Sequence, residues 1–343
     1  MTADFTWRDA GRTVVFRRGA VGEAVEVLRE QGVGEFELLS TERALATAGE
    51  LAAAANRVHE VESGQVPAVA AALLDALAPP HEASKGVQAR PLVALGGGRV
   101  VDVAKAIAAV SGAEVAAIPT TLSGAEMTAI HRLPEGAEER VRGMVRPALV
   151  IADPEAMASQ PEEQLRASAM NALGHGADTL YLPLSNPVSE MTALRGAELI
   201  GQALEQEREQ RDIAALALGS LLCGYAIDSA GIGLHHLVCQ TLVRHCGTPH
   251  AETNAAILPH AVAFLAERAP EPYERLAAAL GADRPGLSGR IEALGRPPRL
   301  SEAGGDAAKL DEAIEAMLER SELQHVPQPP DEAELREMVE RAW

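Results

Sequence analysis

Three histidines, His175, His236 and His250, stand in segments whose composition suits a reactive site. His175 follows Asn171 by four residues, and residues four apart lie on one face of a helix. His235 directly precedes His236. Three converging imidazoles suit a transition-metal site, and they suit equally a metal-free site that binds an anion and donates a proton. The remaining histidines are interpreted as core or surface residues: His59, His81, His131, His245, His260 and His325.

A run of three glycines at 96–98 lies between an apolar segment, 92–95, and a segment with apolar residues at helical spacing, 99–109. This order predicts a strand, a tight turn and a helix. Glycine lets the backbone approach a pyrophosphate, and a helix N-terminus offers unpaired N–H groups to an anion. The run matches neither GxGxxG nor GxxxxGKS, so a tight corner without a ligand remains an alternative.

Two further segments are predicted to end strands where ligands of open α/β sheets bind. A hydroxyl-rich loop at 119–128 follows the predicted strand 115–118, and Ser40 follows the predicted strand 36–39. An acidic residue at this second position would favour NAD. Ser40 with Arg43 nearby leaves NAD and NADP both open.

Strands and helices are predicted to alternate up to residue 153, which is typical of a doubly wound, Rossmann-like sheet. Further strands are predicted at 12–16 and 148–152, and a polar loop at 79–90. From 154 to 343 we predict only helices, so the chain reads as an α/β dinucleotide-binding domain, 1–153, and an all-helical domain, 154–343. The predicted helical segments are 162–181, 187–207, 212–242, 251–266, 272–280, 309–321 and 331–342.

The formal net charge is −19, which argues against a nucleic-acid or anionic-membrane partner. An anionic substrate would therefore need a local positive pocket. The cysteines are odd in number and lack CxxC spacing, which indicates reduced, buried thiols of a cytoplasmic protein. No secretory signal is recognised at the N-terminus, and the apolar stretch 213–234 contains Asp228 and is interpreted as a buried helix.

Four segments, in order, resemble the iron-containing alcohol dehydrogenase and dehydroquinate synthase-like superfamily, and within it the maleylacetate reductases. Residues 96–105 resemble GGGSxxDxAK, and 119–128 resemble PTTxxGSEMT. Residues 170–176 resemble MNAIAHA, and 233–254 resemble GxxLHHxxCHxL…PHAETH. The agreement in order and spacing spans nearly the whole chain.

The resemblance implies an N-terminal nicotinamide-dinucleotide domain, a C-terminal helical domain that carries the histidines, and an active site in the cleft between them. It implies a homodimer and an NADH or NADPH cofactor. Arg99 replaces a small serine of the family and either clamps the pyrophosphate or points to solvent. The residues implied to bind the cofactor are Gly96, Gly97, Gly98, Asp102, Thr120, Thr121 and Leu122.

His175, His236 and His250 match the family's three metal-site histidines and are the expected ligands if a metal binds. Metal-dependent members carry Asp where this chain has Asn171, and a neutral amide is a poor fourth ligand. Maleylacetate reductases also have Asn there and are thought to work without metal, so we expect no metal here. The histidines then form a positive pocket for a dicarboxylate.

Gln240 replaces a family histidine that is a candidate proton relay, four residues after His236. Glutamine does not titrate, so His235 or His236 is expected to supply the proton instead.

We consider three functions. The favoured one is an NAD(P)H-dependent reductase that converts maleylacetate to 3-oxoadipate in aromatic-compound catabolism, or acts on a related small dicarboxylate or oxo-acid. The second is an iron- or zinc-dependent alcohol dehydrogenase of the same superfamily. The third is a catalytically degenerate dinucleotide-binding protein, suggested by Gln240 and Arg99.

Overall fold

A computed structural model describes residues 11–77 and 89–343. The described residues form two compact units, one up to Ser159 and the other from Gln160 to Trp343. The sequence boundary was placed after Asp153, and the observed division leaves the short helix Pro154–Met157 with the first unit. His81 and most of the predicted loop 79–90 lie outside the described residues.

The first unit contains a parallel sheet in the order β1-β6-β5-β4-β2-β3. Successive side chains of a strand point to opposite faces of the sheet, so they pack into two separate hydrophobic cores. Leu39, Ala94 and Ala117 join one core, and Leu38, Leu95 and Ile118 join the other. The expected doubly wound α/β class is thereby confirmed. The strands are β1 Thr13–Phe16, β2 Glu37–Ser40, β3 Arg57–Glu60, β4 Leu92–Gly96, β5 Val115–Pro119 and β6 Leu149–Ala152.

Two details of this unit differ from the sequence prediction. Strand β3 was not predicted, because it is an edge strand with mostly exposed polar residues and lacks an apolar run. The single helix predicted at 45–55 is two short ones, and the Thr41 side chain caps the first. The helices are α1 Ala24–Glu30, α2 Glu42–Leu45, α3 Gly49–Ala54, α4 Val66–Leu77, α5 Gly98–Ser111 and α6 Pro154–Met157.

The second unit is helical, and residues 154–343, which are all described, contain no strand. Helix α13 was not predicted, because the segment 284–296 is rich in Gly, Pro and Arg. The helices are α7 Glu162–Thr179, α8 Pro187–Glu205, α9 Ile213–Ala230, α10 Leu234–His245, α11 His250–Arg268, α12 Pro270–Ala279, α13 Leu287–Gly295, α14 Leu310–Leu318 and α15 Glu332–Ala342.

The continuous helical segment predicted at 212–242 is broken at Gly231–Gly233 into α9 and α10. Gly231 has φ +94°, a conformation that favours glycine, and it ends α9. Helix α10 then starts at Leu234. The break places His235 and His236 in the first turn of a helix rather than in its middle.

Helix α9 is long and apolar enough to cross a membrane by length and composition alone, but 56% of its apolar window is buried inside the protein. It packs against α8 and α7. A Cβ on Gly196 of α8 would lie 2.8 Å from the carbonyl oxygen of Gly219 of α9. Close backbone packing therefore accounts for the small, apolar composition of this helix.

All three cysteines are buried free thiols, as the sequence indicated. Burial raises the pKa of Cys223 to about 12 and that of Cys246 to about 11. Burial also raises the pKa of Cys239 well above its usual value. The thiols are therefore protonated at neutral pH.

Candidate functional site

Helix α7 and the turn that follows it supply the groups that hold the start of helix α10. The Asp178 carboxylate accepts the backbone N–H groups of His235 and His236, each at 3.2 Å. The Tyr181 hydroxyl accepts the N–H of Leu234. These are three of the N–H groups that a helix leaves without an intrahelical partner. Side chains at the C-terminal end of α7 and in the turn after it therefore fix the position of the first turn of α10.

Two glycines make room for this contact between helices. A Cβ on Gly233 would lie 2.4 Å from the Tyr181 hydroxyl and 2.5 Å from Cγ of Asp178. A Cβ on Gly174 would lie 2.3 Å from the His235 ring. Neither position has space for a larger residue unless the site rearranges.

His236 lies between two side chains of α7. Its Nδ1 is 2.8 Å from Oδ2 of Asp178, and its Nε2 is 3.3 Å from Oδ1 of Asn171. Its ring stacks on the ring of His175, with centroids 4.3 Å apart and planes 8° from parallel. The structure therefore brings Asn171, His175 and His236 together.

His235 is fully enclosed beside them. Its Nε2 lies 3.0 Å from the backbone oxygen of Asn254, and its Nδ1 lies 3.3 Å from Nδ1 of His236. Burial, together with the nearby charge of His236, lowers the pKa of His235 to about 3. His235 is therefore a neutral imidazole at neutral pH and has no imidazolium proton to donate.

His250 is the first residue of α11 and is exposed. Its Nε2 is 3.4 Å from the amide nitrogen of Asn254, which also donates to the backbone oxygen of His250 at 2.7 Å. Because the backbone oxygen of the same Asn254 accepts from His235, this residue links His250 to the buried part of the cluster.

Asp178, Tyr181 and Asn254 were not singled out from the sequence. A signal existed for Asp178, because residues 171, 175 and 178 share one helix face. Burial alone would raise the pKa of Asp178, but the hydrogen bond and charge of His236 hold the pKa below its ordinary value. The site thus contains an ionised carboxylate with no exposure to solvent.

The rings of His175 and His236 are not oriented to share one divalent transition metal. Imidazole binds a metal along the nitrogen lone pair, in the ring plane, and the parallel, stacked planes of His175 and His236 do not meet at one point. Ligand atoms of Asp178, His235 and His236 do lie within 4.8 Å of one another. However, the Asp178 oxygens accept three N–H groups, and Nε2 of His235 faces a carbonyl.

The first unit contains the second candidate region, at the glycine turn. Gly96 ends β4, and Gly97 is the N-cap of α5 and gives it no side-chain cap. Added Cβ atoms on Gly97 and Gly98 would lie 2.9 Å from Cγ2 of Thr121 and 2.8 Å from Oγ of Ser123. The turn therefore packs directly on the hydroxyl-rich loop, and it forms a backbone cradle at a helix N-terminus that suits a phosphate.

A buried ammonium joins α5 to the same loop. Nζ of Lys105 donates to the backbone oxygens of Ala125 and Ile130, both at 2.8 Å, and to that of Thr128 at 3.2 Å. It also pairs with Asp102 at 2.8 Å. Lys105 was part of the family-like segment but was not expected to have a role.

The other residues proposed to bind the cofactor differ in exposure. Arg99 is exposed, while Asp102, Thr120 and Thr121 are partly exposed. Leu122 and Ser40 are fully buried, and the Ser40 hydroxyl donates to the backbone oxygen of Leu95 at 2.8 Å. The Leu122 side chain and the Ser40 hydroxyl therefore support the strand ends from inside the unit.

Glu126, in the loop after β5, was also missed from the sequence. It is fully buried, and its carboxylate oxygens make no hydrogen bond to another residue in the described part of the chain. Burial raises its pKa to about 7, an effect partly offset by its own backbone N–H and by the charge of Lys105. It is therefore largely an uncharged acid below neutral pH.

Comparison with known proteins identifies both units. A family model for the C-terminal part of the Fe-containing alcohol dehydrogenase family matches residues 166–343. A model for iron-containing alcohol dehydrogenase matches residues 15–161.

Individual relatives cover the whole chain. The maleylacetate reductase of Rhizobium sp. (strain MTP-10005) is 31% identical over 347 residues, which cover 99% of this chain and 97% of that protein. The crystal structure of maleylacetate reductase from Agrobacterium tumefaciens matches with a TM-score of 0.83 and 31% identity, covering 99% of this chain and 98% of that one. An iron-containing alcohol dehydrogenase from Corynebacterium glutamicum matches with a TM-score of 0.85 and 29% identity, covering 100% and 97%.

Proposed function

The chain belongs to the iron-containing alcohol dehydrogenase family, and we propose that it reduces maleylacetate to 3-oxoadipate with NADH or NADPH. It is an oxidoreductase by this membership, and the resemblance to maleylacetate reductases selects the substrate. The observation that carries the proposal is the position of Asn171, a neutral amide beside Nε2 of His236. An amide there suits a protonatable imidazole better than a metal ion.

The glycine turn fits the dinucleotide. Gly96, Gly97 and Gly98 would hold the pyrophosphate, because the turn is closely packed on Thr121 and Ser123 and opens onto the first turn of α5. Asp102, Thr120 and Thr121 are the remaining residues proposed to bind it. The nicotinamide supplies a hydride when bound.

The histidine cluster would act on the substrate by charge and hydrogen bonding. His236 is held by Asp178 on one side and presents Nε2 on the other, beside Asn171. An N–H donor at Nε2 would stabilise the negative charge that develops on a reduced oxo or enol oxygen. His175, stacked on His236, would bind a substrate carboxylate from the same side of the cluster.

The proton donor is assigned to His236 or to water. Gln240, at the family's histidine position, does not titrate, and its Oε1 accepts from Arg320 at 3.2 Å. His235 is neutral because it is buried. These two observations support His236, whose Nε2 is the ring nitrogen that faces Asn171.

Metal independence is part of the proposal and rests on the stacked rings and on the partners of Asp178 and His235. A homodimer and a cytoplasmic location are further proposals, drawn from the family resemblance and from the buried thiols. A metal-dependent alcohol dehydrogenase is the second candidate. It is favoured by the closeness of the Asp178, His235 and His236 donor atoms and by the likeness to the Corynebacterium glutamicum protein.

The deciding experiment is NADH and NADPH oxidation with maleylacetate by protein dialysed against EDTA, with iron and zinc measured in parallel. We expect turnover without metal. Turnover only after iron or zinc is added, together with alcohol oxidation, would favour the second candidate. Cofactor binding without turnover on maleylacetate, other oxo-acids or aldehydes would favour a degenerate binding protein.

Replacement Gly97→Ala is expected to raise the KM for the dinucleotide about tenfold or more. The new methyl group would push against Thr121 and move backbone N–H groups away from the phosphate, and a hydrogen bond to a charged group contributes about 1.5–3 kcal/mol. The matched control is Gly289→Ala in helix α13, where an added Cβ meets nothing within 4 Å. An unchanged KM in Gly97→Ala would remove the turn from the cofactor site.

A further inference from the structure

Asp178 is the most heavily engaged carboxylate of the histidine cluster. It is fully buried and accepts two backbone N–H groups of α10 and the Nδ1 side of His236. The Tyr181 hydroxyl lies 3.4 Å from its Oδ1. A buried carboxylate is costly unless it is paired and hydrogen-bonded, and these donors come from the same turn that carries His236.

The Asp178 carboxylate determines which ring nitrogen of His236 carries a hydrogen. Its Oδ2 accepts the backbone N–H of His236 and also lies 2.8 Å from Nδ1 of the His236 ring. Nδ1 of His235 is farther away, at 3.3 Å, and Nε2 of His235 donates to the backbone oxygen of Asn254. A carboxylate oxygen only accepts, and two lone pairs would repel each other at 2.8 Å. Nδ1 of His236 therefore carries the hydrogen and donates it to Asp178.

We propose that Asp178 is the positioning residue of the active site: it locks His236 in the Nδ1–H form and leaves Nε2 as the nitrogen that exchanges a proton. The catalytic part of this inference rests on the proposed function. The assignment of the tautomer rests on the contacts alone.

Asn171 completes the arrangement. Its side chain has an oxygen that accepts and a nitrogen that donates, so rotation of the amide lets it face Nε2 of His236 with or without a proton. An aspartate in its place would favour the protonated ring only. The pair of Asp178 on the Nδ1 side and Asn171 on the Nε2 side therefore fixes one proton and leaves the other free to move.

The test is the replacement Asp178→Asn, which keeps the size of the side chain. The new amide is expected to accept the backbone N–H of His235 with its oxygen, in the place of Oδ1, and to turn its NH2 group, in the place of Oδ2, towards Nδ1 of His236. The backbone N–H of His236 then loses its acceptor. The ring would then switch to the Nε2–H form. Nitrogen-15 NMR of histidine-labelled full-length protein, with the His236 signals assigned by their loss in His236→Gln, reads the tautomer directly.

We expect a protonated Nδ1 on His236 in the wild type and a protonated Nε2 in Asp178→Asn. We also expect kcat for maleylacetate reduction to fall by about 10⁴-fold, the order seen when the orienting carboxylate of a catalytic histidine is made an amide, with a much smaller change in KM. The matched control is Glu312→Gln, which alters the carboxylate 3.2 Å from Nδ1 of His245 on the surface. Its kcat should not change.

The two ways of failing can be told apart. An unprotonated Nδ1 on His236 in the wild type overturns the role of Asp178, whatever reaction the protein catalyses and whether or not the variant folds. A switched tautomer with an unchanged kcat overturns the catalytic part. If Nδ1 of His236 is protonated in the wild type but the protein does not reduce maleylacetate, the role of Asp178 in fixing the tautomer stands. Only the proposed substrate is then refuted.

Discussion

Replacement His236→Gln is expected to lower kcat for maleylacetate by about 10³-fold or more, since one lost oxyanion donor costs about 10²–10³ and a lost general acid about 10²–10⁴. His236 is the residue through which Asp178, Asn171 and His175 all act. Glutamine keeps a polar group but has no titratable proton. Steady-state kinetics with saturating NADH or NADPH measures the effect.

The same variant is expected to unfold more easily. It leaves the buried Asp178 without its imidazole partner, and breaking a buried ion pair by removing one partner costs about 3–5 kcal/mol. The assay therefore belongs at a temperature where circular dichroism shows the variant folded. His245→Gln, in which a histidine paired with Glu312 at the surface is removed, is the control for losing any imidazole. If folded His236→Gln retained more than a tenth of the wild-type kcat, the cluster would not be the site of chemistry.

Replacement Glu126→Gln is expected to change how stability depends on pH. The pKa of Glu126 is raised from 4.5 to about 7 in the folded protein, so the folded state keeps a proton that the unfolded state releases. The bound proton of Glu126 stabilises the folded state fully below pH 4.5, and this stabilisation is lost as the pH rises to about 7. With 1.36 kcal/mol for each pKa unit, the full change is about 3 kcal/mol.

Glutamine at this position carries no titratable proton, so the free energy of unfolding of the variant does not fall through this ionisation. Urea unfolding at pH 5 and pH 8 should therefore show the variant gaining stability relative to the wild type by up to about 3 kcal/mol at the higher pH. Other titrating groups cancel in this difference. The matched control is the exposed Glu114, replaced by glutamine in the same way. Parallel pH curves for the wild type and Glu126→Gln would show that the carboxyl group is ionised in the folded state.

The sequence predicted the segments of both candidate sites because each depends on neighbours along the chain. Gly96–Gly98 lie between a strand and a helix, and Asn171 and His175 share a helix face, so their local geometry follows from spacing. The change from alternating strands and helices to helices alone was visible for the same reason.

Spacing did not show which side chains meet between distant segments. Asp178 and His236 are separated by 58 residues, and only packing of α7 on α10 reveals that one orients the other. The burial of Glu126 likewise depends on the whole loop after β5. Strand β3 was not predicted because an exposed edge strand has little apolar pattern to detect.

The buried cysteines have a practical consequence for spectroscopy. Because Cys223, Cys239 and Cys246 are enclosed and their pKa values are raised, maleimide and methanethiosulfonate reagents should leave the folded wild-type chain unmodified. A cysteine introduced at an exposed position would then be the attachment point for a fluorophore or spin label without prior removal of native thiols.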